Sequence, residues 1–315
     1  MVLIVTDLST QPFPGQRSVV TIGAYDGVHL GHQAVIAEVR SRAAATGARS
    51  VVVTFDRHPA SVVRPESAPR LLTDLDQKLE LLAATGVDAT VVVSFDQSQS
   101  QEEPMAFAQR VLVDCLSALH VVVGDDFHFG RNRSGSVATL RELGAANDFA
   151  VEGMTLVPRT DGPDEPISST AIRRAMAGGQ VELASRMLGH PFEARGIVRL
   201  GDQRGRLLGF PTANVEVAVS ACLPADGVYA GWYFRPDGSR HACAMNLGRR
   251  PTFYEHAETS LLEAHLIDFT GDLYDEAARV QFTNFLRSER KFDGFEALKG
   301  QLKNDIDHAR TVVGG

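Results

Sequence analysis

Along the first half of the chain, short β-branched runs alternate with stretches of helical periodicity. The runs fall at 18–24 (SVVTIGA), 50–55 (SVVVTF), 88–95 (DATVVVSF), 119–124 (LHVVVG) and 151–157 (VEGMTLV). Their nearly continuous apolar character is that of strands buried on both faces. Between them, Leu75, Leu79 and Leu82 stand at i, i+4 and i+7 of segment 74–85, with Thr73 placed to cap its start and Gly86 to end it. Segment 102–116 opens with Glu102-Glu103-Pro104, residues suited to a first helical turn, and segment 136–146 follows a polar loop. The alternation predicts an α/β unit: a parallel sheet with helices on both faces.

The pattern changes near residue 188. A loop at 159–166 (RTDGPDEP) leads to two short helices near 169–178 and 181–188, parted by Gly178-Gly179. Strand-like segments then follow one another at 192–199, 213–219, 227–234, 241–247, 260–269 and 278–286, with Pro236-Asp237-Gly238 as a turn signal. Short strands without intervening helices predict an antiparallel barrel or sandwich. The tail, 293–312, carries an apolar stripe of Phe295, Leu298, Leu302, Ile306 and Ala309 and closes the chain as a helix. Two domains are expected, 1–187 and 188–315.

Composition narrows the class. The 315 residues are 44% hydrophobic and 22% charged, enough for two cores and unlike a disordered or fibrous chain. A net charge of −8 argues against a surface built to hold nucleic acid, while local basic pockets for small anions stay open. The three cysteines, Cys115, Cys222 and Cys243, have neither metal-type spacing nor the even count of a disulfide framework. The first residues lack a signal-peptide pattern, and no apolar run approaches a membrane span. The expectation is a soluble cytoplasmic protein acting on small molecules, without a membrane or nucleic-acid partner.

Three motifs carry candidate chemistry. Residues 23–32, GAYDGVHLGH, join the first strand to the first helix, where open α/β sheets bind ligands. Gly23, Gly27 and Gly31 allow close backbone approach to a phosphate, the helix N-terminus supplies N–H groups, and His29 and His32 can address one phosphoryl group. Two unrelated loop histidines are the plain alternative. In the second motif, Ser168-Ser169-Thr170-Ala171-Ile172-Arg173, hydroxyls open a helix and Ser169 and Arg173 share a face. Here an ordinary helix cap with a solvated arginine competes with an anion site. In the third, Gly201, Gly205 and Gly209 recur every four residues with basic residues between, followed by Phe210-Pro211-Thr212-Ala213-Asn214. This suits a loop covering phosphates, with Thr212 and Asn214 as neutral oxygen donors on one side of an extended segment; a Gly/Pro turn of a barrel explains the spacing equally well. Among the nearby acids Glu255, Glu258, Glu263 and Asp268, spacing does not choose a base.

At these residues the chain resembles the bacterial bifunctional riboflavin kinase/FMN adenylyltransferase family, the FAD synthetases. The likeness runs over about residues 18–310. It includes DGVHLGHQ at 26–33, TFDRHP at 54–59, the lysine of the segment at 72–88, VVGDDFHFGRNRSG at 122–135 and ISSTAIR at 167–173. It continues with GRLLGFPTAN at 205–214, GVYAG at 227–231, NLGRRPTF at 246–253, LEAHLIDF at 262–269, Arg287 and Lys291-Phe292.

The resemblance implies a Rossmann-like HxGH nucleotidyltransferase domain followed by a riboflavin kinase-like antiparallel barrel with a terminal helix. Riboflavin would be phosphorylated by ATP to FMN, and FMN adenylylated by a second ATP to FAD and pyrophosphate, both steps using Mg²⁺. It assigns His29, His32, Ser169, Thr170 and Arg173 to the charge on phosphorus in the adenylyl step. Asp26 joins the glycines of that loop around ATP, Asp126 matches a nucleotide-contacting position, and His58 lines the flavin side. In the kinase it assigns Glu263 as the base, Thr212 and Asn214 as Mg²⁺ ligands, and Gly201, Gly205, Gly209, Pro211 and Arg287 to ATP and flavin. A homo-oligomer is compatible with the family. The chain departs from the family pattern at Tyr25, His128 and Asp275-Glu276, which leaves the motifs themselves intact. Two rival classes stay open: an enzyme with one live module, such as a kinase on a scaffold domain or a transferase with another acceptor, and a non-catalytic flavin-binding regulator.

Overall fold

The computed structural model describes residues 2–155, 157–159, 165–201, 205, 209–249 and 260–314. Arg204, Arg206, Glu255, Glu258 and the end of the NLGRRPTF motif lie outside the described residues. The chain divides into two compact units, 1–169 and 170–315.

The first unit holds a six-stranded sheet built from β1 (Leu3–Val5), β2 (Ser18–Ile22), β3 (Arg49–Phe55), β4 (Ala89–Val93), β5 (Ala118–Gly124) and β8 (Ala150–Met154). The spatial order is β1-β4-β3-β2-β5-β8 and every pairing is parallel. Strand residues alternate between two cores, as a doubly covered sheet requires. Val20, Val51, Val53, Val91 and Val121 face one core, which is completed by the helical segments α3 (Pro104–Ala108) and α4 (Val137–Asn147). Val19, Val52 and Val122 face the other side, against α1 (Leu30–Thr46) and α2 (Leu75–Ala84).

Four details depart from the expectation. The edge strand β1 has no strong sequence signal, because three residues pair without being buried. A small hairpin, β6 (His128–Phe129) with β7 (Gly135–Ser136), sits in the loop after β5. The segment expected as one helix at 102–116 is α-helical only to Ala108 and continues as a π-helix, Gln109–Cys115. The cap of α2 is Asp74, whose carboxylate accepts from Gln77 N at 2.7 Å; Thr73 is engaged elsewhere.

The second unit begins with α5 (Ser169–Ala177, from its second residue) and α6 (Val181–Leu188) and continues into a closed antiparallel barrel. Its strands are β9 (Phe192–Arg199), β10 (Ala213–Val217), β11 (Gly227–Phe234), β12 (Arg240–Arg249), β13 (Ser260–Leu266) and β14 (Ala277–Arg287), in the order β10-β13-β12-β11-β14-β9, closed by β9 against β10. Tyr229, Tyr233 and Phe282 are wholly buried. The terminal helix α7 (Phe295–Gly314) lays Ile306 and Ala309 on Ala230 and Ala244 of the barrel's outer face. β13 ends at Leu266, short of the expected 269, so Asp268 is not part of the strand. It lies in a turn, φ 56°, and pairs with Arg310 at 2.9 Å. Asp275 and Glu276 occupy another turn and pair with Arg199 and Arg235.

The division at Ser169 places α5 and α6 in one compact unit with the barrel. Ala225 N donates to Met176 O at 2.9 Å, and Phe285 N donates to Glu182 at 3.0 Å. A Cβ at Gly179, whose φ is 71°, would come within 3.3 Å of the Tyr229 hydroxyl and 3.6 Å of the Phe285 ring. A fragment spanning 170–315 is therefore expected to unfold at a higher urea concentration than one spanning 188–315, followed through the single tryptophan, Trp232; equal midpoints would show that the two helices add nothing to the barrel.

Candidate active sites

The loop after β2 is shaped by a buried carboxylate. Asp26 is 5% exposed and accepts hydrogen bonds from Leu72 N and Thr73 N at 3.0 Å and from the Thr73 hydroxyl at 3.2 Å. The same hydroxyl takes a bond from Gly27 N at 3.1 Å. A desolvated carboxylate needs such donors. Tyr25, Gly27 and Val28 all adopt positive φ, and for a β-branched valine at 39° that is a costly conformation held by its surroundings. The loop delivers His29 as the N-cap of α1, its Nδ1 accepting from His32 N at 3.3 Å. Accepting there places the proton of the neutral ring on Nε2.

The two imidazoles stack, with centroids 3.6 Å apart. Gly31 makes this possible, since a Cβ would come within 3.1 Å of the His29 ring and 3.2 Å of Ile167 O. The His32 Nδ1 is enclosed without a hydrogen-bond partner, and burial, reinforced by the nearby His29 and Lys78 charges, holds this imidazole well below its ordinary pKa. His32 is thus neutral in the empty protein, and phosphate charge beside it would favour its protonation. The Tyr25 ring closes on His32 at 4.8 Å between centroids, while its hydroxyl bonds Thr21 at 2.6 Å, so the added oxygen is directed into the sheet.

Lys78 is a functional candidate that residue-by-residue reading left without a role. Only 7% exposed, it donates to Phe55 O at 2.7 Å, Thr54 Oγ1 at 3.2 Å and Ala24 O at 3.3 Å, tying the histidine loop to the end of β3. In the sequence it was marked only as the lysine of segment 72–88 in the family likeness, with no role attached. His58, which follows β3, is half-buried and accepts from Ala60 N at 3.1 Å through Nδ1. Asp126 and His128 are exposed beyond β5, with His128 Nδ1 2.8 Å from Asp126 O. Ser169 Oγ, at the end of the first unit, donates to Asp26 O at 3.0 Å. Thr170 and Arg173 fall in the second unit.

In the second unit a cavity of about 660 Å³ lies between the barrel's outer face and α7. Gly205 and Thr212 of one motif, Glu263 of another and Arg287 all line it. The strand register explains why. Asn214 is opposite Glu263, Glu263 opposite Asn246, Asn246 opposite Val228, and Val228 opposite Arg287. Directly opposed residues present side chains to one face with Cβ atoms about 5 Å apart. Asn214 is buried, its Oδ1 has no partner, and Gly201 packs on its amide where any Cβ would collide. Arg287 is oriented by Asp305 of α7, with a 2.9 Å bond from Nε, and lies over Phe292 at 5.7 Å. Sequence reading missed Asn246 and Asp305, the first because nothing marks an asparagine in a strand as functional, the second because it sits on a helix far along the chain. Pro211 O bonds His265 Nδ1 at 2.8 Å. Gly209 turns with φ 87° just before it.

The fold and these two constellations define a two-domain transferase with a nucleotide-type site on a parallel sheet and a second site on a barrel. Residues 13–171 match the FAD synthetase family model and residues 188–313 the riboflavin kinase model; 172–187 lie in neither match. The chain is 38% identical to the bifunctional riboflavin kinase/FMN adenylyltransferase of Listeria monocytogenes, covering 96% of this chain and 95% of that protein. It is 40% identical to the protein of the same name from Pseudomonas fluorescens, covering 94% and 93%. A crystal structure titled macrolide-efflux protein from Streptococcus pneumoniae superposes with a TM-score of 0.85 at 28% identity, over 98% of both chains. Among the described residues no helix is long and apolar enough to cross a membrane. The chain belongs to the bifunctional riboflavin kinase/FMN adenylyltransferase family, and it is an enzyme of FAD biosynthesis with both domains present.

Burial, opposed by the charges of Asp26 and Asp56, pushes the Lys78 ammonium down to about 8 from 10.5. Between those values the unfolded chain binds the proton that the folded one has lost, so stability rises with pH across that window. The stability difference between wild type and Lys78→Met is expected to grow in favour of wild type from about pH 8 to 10, measured by urea unfolding with circular dichroism. A constant difference would mean that Lys78 does not titrate there.

Proposed function

We propose that the two reactions use separate sets of residues: adenylyl transfer by the HxGH loop with Ser169 and, as the sequence resemblance assigns them, Thr170 and Arg173, and riboflavin phosphorylation by the barrel cavity. The observation that carries the kinase half is that Thr212, Glu263 and Arg287 line one cavity. In the adenylyl step an oxygen of the FMN phosphate attacks the α-phosphorus of ATP and pyrophosphate leaves. No protein nucleophile is needed, so positioning and charge stabilisation supply the acceleration. His29, as cap of α1, is fixed by the chain that also offers N–H groups to phosphate. His32 stacks on it and can take up charge as phosphate arrives. Asp26 acts here by holding the loop, its carboxylate being engaged by Leu72 and Thr73. Asp126 and His58 are proposed at the nucleotide and flavin sides.

In the kinase, Glu263 accepts the proton of the riboflavin 5′-hydroxyl as its oxygen attacks the γ-phosphorus and ADP leaves. The donor set beside it fits Mg²⁺: the buried, unpartnered Oδ1 of Asn214 and the Thr212 hydroxyl are neutral oxygens, and a nucleotide-bound Mg²⁺ needs only one or two from protein. When bound, the ion would neutralise phosphate charge. Gly201, Gly205, Gly209 and Pro211 shape the loop over the phosphates, and Arg287 contributes fixed positive charge. Action in the cytoplasm accords with the buried Cys115, Cys222 and Cys243, which form no disulfide among the described residues.

Supplying riboflavin, ATP and Mg²⁺ and separating the products tests the whole reading: FMN and FAD should both appear. His32→Ala is expected to lower FAD formation by about 10² or more while leaving riboflavin phosphorylation near wild type. Equal loss of both would overturn the division of labour. Glu263→Gln should lower FMN formation about 10²–10⁴-fold with FMN adenylylation intact; a silent Glu263→Gln would remove it as the base.

A further inference from the structure

Lys78 stands where an ammonium is disfavoured in three ways. It is only 7% exposed. Its backbone N–H donates to Asp74 O at 3.0 Å, the first bond of α2, so the cation sits at the helix end whose dipole repels it. The three bonds from its Nζ, to Phe55 O, Thr54 Oγ1 and Ala24 O, all end on neutral oxygens. The carboxylates that oppose its charge are engaged by other donors: Asp26 by Leu72 and Thr73, Asp56 by Phe95 N at 2.9 Å, Ser94 Oγ at 3.2 Å and Arg57. An unbranched apolar side chain would fill the same space without these penalties, so packing does not account for a lysine here.

Its acceptors show what the ammonium does. Ala24 leads into the turn of Tyr25, Gly27 and Val28 that delivers His29 to the head of α1, and Thr54 and Phe55 end β3. Gly23 N donates to Val53 O at 3.0 Å and Thr54 Oγ1 to Ala24 O at 3.1 Å, so Lys78 closes a seam between β3 and the start of the histidine loop. An ammonium has three N–H groups and no lone pair. A neutral amine has two and would turn its lone pair toward one of the three oxygens. Loss of the proton therefore opens the seam as well as removing the charge. Buried, and with its three hydrogens engaged, Lys78 acts through the loop and not on substrate.

We propose that Lys78 is a positioning residue of the adenylyl step: its ammonium form holds the histidine loop on β3, and FMN adenylylation is lost when that proton leaves. This rests on the reading of the HxGH loop as the adenylyl site. If His32→Ala leaves FAD formation at the wild-type rate, that reading fails, whatever Lys78 does. The charged and titratable groups facing Lys78 are Asp26 on the loop, Asp56 after β3 and His32 on α1. Burial, opposed by the two carboxylates, holds the ammonium down to about 8. His32, held well below its ordinary value, has already lost its proton at neutral pH. Lys78 is then the member of this cluster that titrates on the alkaline side.

The test supplies FMN, ATP and Mg²⁺ to the full chain and follows FAD formation against pH. In wild type, kcat/KM for ATP should fall about tenfold per pH unit above about pH 8, and kcat only at higher pH, because bound phosphate favours the ammonium. Lys78→Met should lower kcat/KM at neutral pH by about 10–10²-fold, less than the loss of a donor touching the reacting phosphorus, and its residual activity should show no such fall. Lys78→Arg keeps a charge that does not titrate in this range, so its activity should be equally flat. Riboflavin phosphorylation by the same preparations should stay at the wild-type rate, and circular dichroism reports the fold of each. A wild-type profile flat from about pH 7 to 10 would overturn the proposal whether or not either variant folds. The same alkaline fall in Lys78→Met, wild-type adenylylation by folded Lys78→Met, or parallel loss of both activities would overturn it too.

Discussion

A carboxylate removed from water has to be surrounded by donors, and Asp26 meets that demand in a way that shapes the whole first site. Its bonds to Leu72 and Thr73 lock two distant loops together. That lock allows Tyr25, Gly27 and Val28 to turn through left-handed conformations, and the turn places His29 at the head of α1. The histidine stack, the close packing at Gly31 and the enclosed His32 Nδ1 all follow from it. Lys78 fastens the other side of the same loop to β3, at the cost of burying an ammonium.

The barrel reaches the same end by register. Strand pairing brings Asn214, Glu263, Asn246, Val228 and Arg287 onto one row although they come from five different strands. Because the row lies on the outer face, a separate element has to cover it, and α7 does so while its Asp305 orients Arg287. The terminal helix is therefore part of the kinase cavity as well as of the barrel's packing. Rigid strands are better supports for such a constellation than loops, since opposed residues cannot shift independently.

The two sites use charge differently. The first gathers imidazoles and an ammonium in a buried place, where burial holds His32 well below its ordinary pKa. The second sets Thr212 and Asn246 beside Glu263, with Glu289 and Asp305 and the cations Arg287, Arg290 and Lys291 on the same cavity wall. A chain carrying −8 overall can handle several phosphate groups in this manner because the basic groups are local.

Much of this was written locally. Strand runs and helical stripes follow from burial on one face or two, and the barrel strands and α7 were placed within a few residues. HxGH stood out by its place between a strand and a helix, whereas preferring a site at SSTAIR or PTAN over a helix cap or a barrel turn required the resemblance. Other features had no local mark. β1 pairs at an exposed edge, and Asp74 displaced Thr73 as a cap only because Thr73 was needed by Asp26. α5 and α6 read as the end of the first half, yet pack on the barrel. Choosing Glu263 over its neighbours required the resemblance, and its setting between Asn214 and Asn246 required the register. The sequence by itself determined the elements, the order of the motifs and the family. Only the tertiary structure decided which distant residues share a face, because register, loop closure and the burial of charge are set by contacts between segments and by no segment alone.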